Sequence, residues 1–308
     1  MLLSAVRPSR LLRLSILPAA LLLGACQSKL EADIGVSTPP ATIESLNISV
    51  PYVDFKDTDS DVHSFDADDD STFDILEYLN DDDDDNDDDV FKVFEDKSAK
   101  GDYASVRPRF DVSAGSLVTS TGAEYPLTLV SQPDYISYPL SVGKDDSETL
   151  LLTLELTFSL IDDTSNSGDY EFKPVIRVAR SDTAGEIDGT ISTSLVQASS
   201  CRDGRTVGTG VAAYLYSGSG ITPTDYYKTD DVTNSNQPVA AAFVEYSSDD
   251  DAYAFKIRNV EPGTYTIAWT CQADSEDPET DDDLTFIESE DVTVSTSSTS
   301  TVSFTGSD

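Results

Sequence analysis

Residues 150–160 alternate without a break. Leu150, Leu152, Leu154, Leu156, Phe158 and Leu160 share one face; Leu151, Thr153, Glu155, Thr157 and Ser159 share the other. A period of two sends successive side chains to opposite sides of a pleated strand, whereas a helix would scatter these leucines around its circumference. The run predicts one long, half-buried strand. The same period returns at Leu46, Ile48, Val50 and Tyr52, where the interposed Pro51 predicts an edge position or the solvent side, because proline cannot donate to a ladder. Phe73, Ile75, Leu76 and Leu79 fit a short helix as well as a strand, since so short a run has no decisive period.

With 308 residues the chain is long enough for two domains. The first is predicted over residues 41–180, through strands at Val62 to Phe65, Val106 to Phe110, Tyr125 to Leu129, the leucine run, and a closing strand at Tyr170 to Val178. After a polar junction at Ser181 to Glu186, a second domain is predicted over residues 186–305. Its strands lie at Ile187 to Ile191, Val211 to Tyr216, Ala241 to Tyr246, Tyr253 to Val260, Ile267 and Trp269, and Val292 to Phe304. Short strands at regular spacing, separated by turn residues, define an all-β protein of two tandem β domains, the first sandwich- or barrel-like and the second a sandwich. Asp81 to Asp89 is an acidic stretch broken only by Asn86; it predicts a solvated loop. Residues 26–40, with Ser37, Thr38, Pro39 and Pro40 at their end, predict a flexible tether.

What precedes that tether reads as an export leader. Arg7, Arg10 and Arg13 supply the positive region, and Leu14 to Leu23 a short apolar run broken by Pro18, too short to span a bilayer core of about 30 Å. Leu23-Gly24-Ala25-Cys26 closes it and resembles a bacterial lipobox. The resemblance implies that residues 1–25 are removed and that Cys26 carries acyl chains, which attach the protein to a membrane. An ordinary secretory leader with an incidental cysteine is the alternative. Gln27, rather than Asp, follows the cysteine; in a Gram-negative cell this implies delivery to the outer membrane.

Losing residues 1–25 removes three arginines and no acid, leaving 16 basic residues against 58 acidic ones, a net charge of −42. Nucleic acid is excluded as a partner, because phosphate binding needs concentrated Lys and Arg. The acidity suits a solvated surface, a saline habitat, or binding of divalent cations. Of three cysteines, Cys201 and Cys271 remain once Cys26 is committed to lipid; in an oxidising envelope the pair is expected to form a disulfide, with two buried thiols as the alternative.

His63 is the one histidine and Trp269 the one tryptophan. A Ser-His-Asp triad would have to use His63, and no His/Cys cluster suits zinc. The sharpest candidate for chemistry is the loop Asp57-Thr58-Asp59-Ser60-Asp61, whose carboxylates at alternate positions can converge on Ca²⁺. Val62 stands where a calcium loop of the EF-hand type needs Gly, and Asp68 where it needs Glu, so a hairpin tip stabilised by Asp is the competing reading. Tyr52, Tyr135, Tyr138 and the pair Tyr226-Tyr227 are candidate partner-anchoring or sugar-stacking side chains.

Asn47-Ile48-Ser49-Val50, Lys100-Gly101-Asp102-Tyr103, Tyr125-Pro126-Leu127, the leucine strand, and Tyr170-Glu171-Phe172-Lys173-Pro174-Val175-Ile176-Arg177 follow one another in an order that resembles the prokaryotic envelope domain known as domain of unknown function family 4382. That family brings no activity and no catalytic residues; it brings lipoprotein leaders. Phe255 to Ile267, with Glu261-Pro262-Gly263-Thr264-Tyr265 at its centre, resembles the prealbumin-like, carboxypeptidase-regulatory-like module and implies a seven-stranded accessory sandwich. The expectation is a lipid-anchored envelope protein, non-catalytic, with an envelope protein or glycan as ligand and no cofactor unless calcium. The alternatives are a Ca²⁺-dependent adhesin or glycan-binding lipoprotein, and a hydrolase using two carboxylates.

Overall fold

The computed structural model describes residues 28–79, 90–165, 168–202, 206–228, 236–248 and 251–306. The leader, Cys26 and the acidic run 81–89 lie outside them. The first half is built from β1 (Lys29–Val36), β2 (Ile43–Asp57), β3 (Val62–Asp66), β4 (Phe73–Asp74), β5 (Phe91–Asp96), β6 (Gly101–Thr119), β7 (Glu124–Leu129), β8 (Ile136–Val142), β9 (Ser147–Leu154), a helical turn α1 (Leu156–Ser159), β10 (Leu160–Asp162), β11 (Tyr170–Phe172) and β12 (Ile176–Arg180). A four-stranded sheet in the order β12-β9-β1-β5 faces a larger one, β10-β11-β7-β6-β2-β3, to which β4 and β8 add. Leu30, Ile34, Leu46, Ile48, Phe55, Leu150 and Leu152 join across one core.

Residues 29–36 are not tether but the strand β1, hydrogen-bonded between β5 and β9. Leu30, Ala32 and Ile34 are fully buried, so the segment carries its own period of two. Glu31 and Asp33, on the alternate positions, made it look polar. Glu31 is satisfied there by Lys29 at 2.9 Å and Lys92 at 3.1 Å.

Nor does the leucine run continue as one strand. β9 ends at Leu154, and Glu155 turns the chain into α1, closed by the Ser159 hydroxyl donating to the Glu155 carbonyl at 2.7 Å. Leu150 to Leu156 stay in the first core, while Phe158 leaves it. The closing strand also divides. β11 belongs to the larger sheet and β12 to the smaller, with Pro174, which has no N–H to donate, in the gap. The segment 73–79 resolves into β4 and a 3₁₀ turn at Ile75–Leu79. Pro51 lies in an interior strand after all: β2 pairs with β3 and β6, and its register against β6 slips between Ser49 and Tyr52, which accommodates the proline at a bulge.

The second half contains β13 (Gly185–Ser192), the turns α2 (Thr193–Val196) and α3 (Ser199–Arg202), β14 (Ala212–Ser217), β15 (Ala240–Phe243), β16 (Glu245–Ser247), β17 (Ala252–Val260), β18 (Gly263–Thr270), β19 (Phe286–Val294) and β20 (Thr299–Phe304). Sheets β16-β17-β13-β20 and β15-β14-β18-β19 form the sandwich. It has eight strands rather than seven because the run Ala240 to Ser247 changes sheets at Val244, giving β15 and β16. Gly189 on β13 has no room for a Cβ, since the Phe255 ring of the paired strand lies over it. Trp269 is fully buried in the same core as Cys201 and Cys271, which are disulfide-bonded with Cα atoms 5.3 Å apart.

A third cluster joins the halves. Phe158 stacks on Tyr226 at 4.4 Å and tilts against Tyr214 at 5.8 Å, with Ala212, Tyr216, Ala241 and Phe243 around them. Beside it, Tyr138 donates to Glu261 at 2.6 Å and the Arg180 amide donates to the same carboxylate at 2.9 Å. Tyr138 and Tyr226, read from the sequence as partner anchors, are spent on this internal seam.

Candidate functional site

The outer face of β2 and β6 concentrates cations. Tyr52, Asp54 and Lys56 project from alternate positions of β2; Arg107 and Arg109 do so from β6, where register sets Arg109 beside Tyr52 and Arg107 beside Asp54. Arg107 pairs with Asp54 at 2.7 Å, and Arg109 approaches the same carboxylate at 4.0 Å. Arg107 and Lys56 lie over the Tyr135 ring at 4.1 and 3.8 Å from its centroid, and Arg109 over Tyr52 at 5.7 Å. Two arginines thus flank one buried carboxylate, with Lys56 alongside on the Tyr135 ring, in a chain of net charge −39.

Asp54 organises the face. Burial opposes its ionisation, but the Ser64 hydroxyl, donating at 2.6 Å, and Arg107 outweigh it and hold the carboxyl below the usual range. The Tyr135 hydroxyl donates to Asp54 at 3.4 Å and accepts from Arg107 at 3.1 Å; burial first, then the Asp54 charge, push its own ionisation upward. The ring faces of Tyr52 and Tyr135 support the guanidinium and ammonium groups by cation–π contact. The Nε–H groups of Arg107 and Arg109 are buried and make no hydrogen bond among the described residues. What the arrangement can do is present guanidinium edges, held in place by aromatic rings, to an oxyanion. Tyr52 and Tyr135 were legible as candidates; the cations were not, because Lys56 and Arg107 lie far apart in sequence and meet only through strand register.

The calcium candidates sit at the β2–β3 hairpin tip. Asp57 Oδ1 accepts the amides of Asp59 and Asp61, each at 2.9 Å, and Oδ2 contacts His63 Nε2 at 3.0 Å. His63 chiefly, with the two amides, keeps the Asp57 carboxyl below its ordinary range. Ser60 takes the left-handed conformation, φ 70°, that such a tip requires. Asp57, Asp59 and Asp61 are drawn together by this turn, with Asp57 acting as acceptor for the other two.

Among the described residues, the trio whose carboxylate oxygens all fall within 4.8 Å of one another is Asp225, Glu276 and Asp282, in the second sandwich. Tyr214 donates to Glu276 at 2.9 Å, the Tyr226 amide donates to it at 3.2 Å, and the Asp282 amide donates to Asp225. Burial above all, reinforced by the two neighbouring acids against the pull of Tyr214, raises the Glu276 carboxyl to about 8. Burial raises Asp225 as well. Glu276 and Asp225 thus hold their protons more tightly than exposed carboxyls do. Asp225 lies too far from Glu276 and Asp282 in sequence to announce the cluster.

Between the sandwiches runs a groove of about 870 Å³. Pro39, Pro40 and Leu79 line it on one side; Thr190, Lys256 and Ser303, from the outer face of β13, β17 and β20, line the other.

No protein-family model matches the chain, and no curated protein matches it. The resemblances to family 4382 and to the prealbumin-like module therefore have no family match behind them. Among solved structures, the Bacillus anthracis TIE protein is 11% identical with a TM-score of 0.19, over 90% of this chain and 33% of that one. The minor pilin GBS52 of Streptococcus agalactiae is 12% identical with a TM-score of 0.19, over 90% and 94%. The fimbrial anchor protein Mfa2 from Porphyromonas gingivalis is 7% identical with a TM-score of 0.20, over 85% and 82%. This chain spans about a third of the TIE protein's length. Likenesses at TM-scores near 0.2 assign neither fold nor function; the double sandwich rests on the sheets themselves.

Proposed function

We propose that this protein is a non-catalytic binding module of the cell envelope, held to a membrane through acyl chains on Cys26, and that the β2–β6 face binds an oxyanion-bearing ligand. One observation carries the reading: Arg107 and Arg109 converge on a single carboxylate with Lys56 beside them, all three held on the rings of Tyr52 and Tyr135, in a strongly acidic chain. On a surface this acidic, polyanions are repelled generally, so a locally cationic, preorganised face is where one can dock. A glycan bearing carboxylate or sulfate groups fits this chemistry, since each group accepts paired N–H donors in one plane. The leader motif supports an envelope setting, and the outer membrane is the leaflet system that Gln27 favours.

The test is calorimetric titration of the protein with an oligogalacturonate and with the neutral galacturonate methyl ester. Binding of the acid form, weakening as salt rises and absent for the ester, supports the reading. Equal binding of both forms, or none of either, contradicts it.

A further inference from the structure

The chain is fixed almost from the point at which the anchor would leave it. Ser28 is 1% exposed, the Lys29 amide donates to the Asp146 carbonyl at 2.8 Å, and from Lys29 onward the chain is an interior strand of a four-stranded sheet. Only Gln27 separates Cys26 from Ser28. A fully extended chain gains at most about 3.6 Å per residue, so the Cα of Cys26 lies within about 11 Å of that of Lys29 at the end of β1.

Resting on the reading of Cys26 as the acylated residue, we propose that the Lys29 end of the first sandwich is seated directly on the bilayer surface, with no spacer. Register identifies what shares that end. Lys29 lies opposite Ser147, Leu30 opposite Asp96, Gly101 opposite Val142, and Asp57 opposite Tyr103. The seated surface is therefore the 97–100 segment, the 143–146 turn and the β2–β3 tip. Four of the chain's nine lysines gather here, Lys29, Lys97, Lys100 and Lys144, and the last three are exposed. Two acids of this end are engaged by backbone amides: Asp96, half-buried, accepts those of Ser98 and Ala99, and Asp146, exposed, that of Gly143. Asp59, Asp61, Asp102, Asp145 and Asp146 are exposed among the lysines. Interleaved charges of both signs match a zwitterionic phospholipid surface, phosphate against lysine and amine against aspartate, better than a strongly anionic one.

The far end of β1 leads to Thr38, whose carbonyl accepts the Phe243 amide of the second sandwich at 3.3 Å. Eight strand residues at about 3.3 Å each place that contact roughly 26 Å along the strand from the anchored end.

The experiment is lysine footprinting of the full, acylated chain in phosphatidylethanolamine vesicles, with a membrane-impermeant amine reagent and mass spectrometry of each site. Labelling of Lys97, Lys100 and Lys144 is expected to fall several-fold relative to the same protein in detergent, while Lys228, in the second sandwich, keeps its reactivity. A variant with about ten Gly and Ser residues inserted after Gln27 is expected to regain the labelling. Unchanged labelling on a chain whose Cys26 peptide carries acyl chains would overturn the seating while leaving the anchor intact. Protection that persists in the spacer variant would overturn the short-reach argument. A Cys26 peptide without acyl chains would overturn both the anchor and the seating.

Discussion

Arg177 donates through Nε to Glu155 Oε1 at 2.9 Å, and its two terminal nitrogens donate to the backbone carbonyls of Arg258 and Asn259. Glu155 is fully buried and its second oxygen accepts the Ala241 amide at 3.3 Å. An ion pair of the first sandwich thus meets three backbone groups of the second, two carbonyls at a strand end and one amide. Asn259 holds the left-handed φ of 56° that aims its carbonyl there, a conformation asparagine tolerates better than most residues. The seam is therefore a fitted polar joint beside the Phe158–Tyr226 stack rather than a loose linker contact.

Arg177→Met is expected to destabilise the protein by about 3–5 kcal/mol, because it leaves a buried carboxylate and two carbonyls uncompensated. Denaturant unfolding, followed by near-UV signal from Trp269, checks this. The double variant Glu155→Gln, Arg177→Met should recover part of the loss. A loss below about 1 kcal/mol in the single variant would mean that the joint carries little of the coupling between sandwiches.

Stability should fall as pH rises through the neutral range. The Glu276 carboxyl goes from 4.5 in the ordinary state to about 8 in the fold. The folded state therefore binds the proton more tightly, so this group opposes folding increasingly as pH climbs between those values, by at most about 1.4 kcal/mol per unit. Thermal unfolding between about pH 5 and 8 measures it. Glu276→Gln, which keeps the shape without the charge, should flatten the profile.

Much of the architecture was legible in the sequence because it follows from alternation and turn residues: the strands of the second sandwich, the β2–β3 hairpin and the Cys201–Cys271 pairing all lie where local pattern puts them. What was not legible depends on partners distant in sequence. Charged Glu31 and Asp33 disguised β1 until Lys29 and Lys92 were seen to satisfy Glu31. The perfect alternation at Leu150 to Leu160 predicted one strand, yet Glu155 has its partner in Arg177 and Phe158 in Tyr226, and those contacts bend the chain into α1. The cationic face failed for the same reason, since register alone brings Arg107 to Asp54.

Reducing the disulfide should loosen the second sandwich. The bond closes a separation of 70 residues, which the chain-entropy picture values at about 4 kcal/mol. The Cys201→Ala, Cys271→Ala variant should show a loss of that order in denaturant unfolding. A change within about 0.5 kcal/mol would contradict it.

At the β2–β3 tip, Asp57→Ala removes the acceptor of two amides and the partner of His63. A lower midpoint of thermal unfolding is expected, as when other side-chain caps are lost. Because both Asp57 oxygens already have internal partners, EDTA should leave the midpoint of thermal unfolding unchanged. A rise with millimolar Ca²⁺ that Asp57→Asn abolishes would instead establish a cation site there.

The most direct test of the account is oligogalacturonate affinity in Arg109→Ala, whose guanidinium lies at 4.0 Å from Asp54 and makes no closer ion pair among the described residues. The variant should unfold at the wild-type midpoint and lose binding at least about tenfold, equivalent to about 1.4 kcal/mol. Undiminished binding in a stably folded Arg109→Ala protein would show that the β2–β6 face is not where this protein meets its ligand.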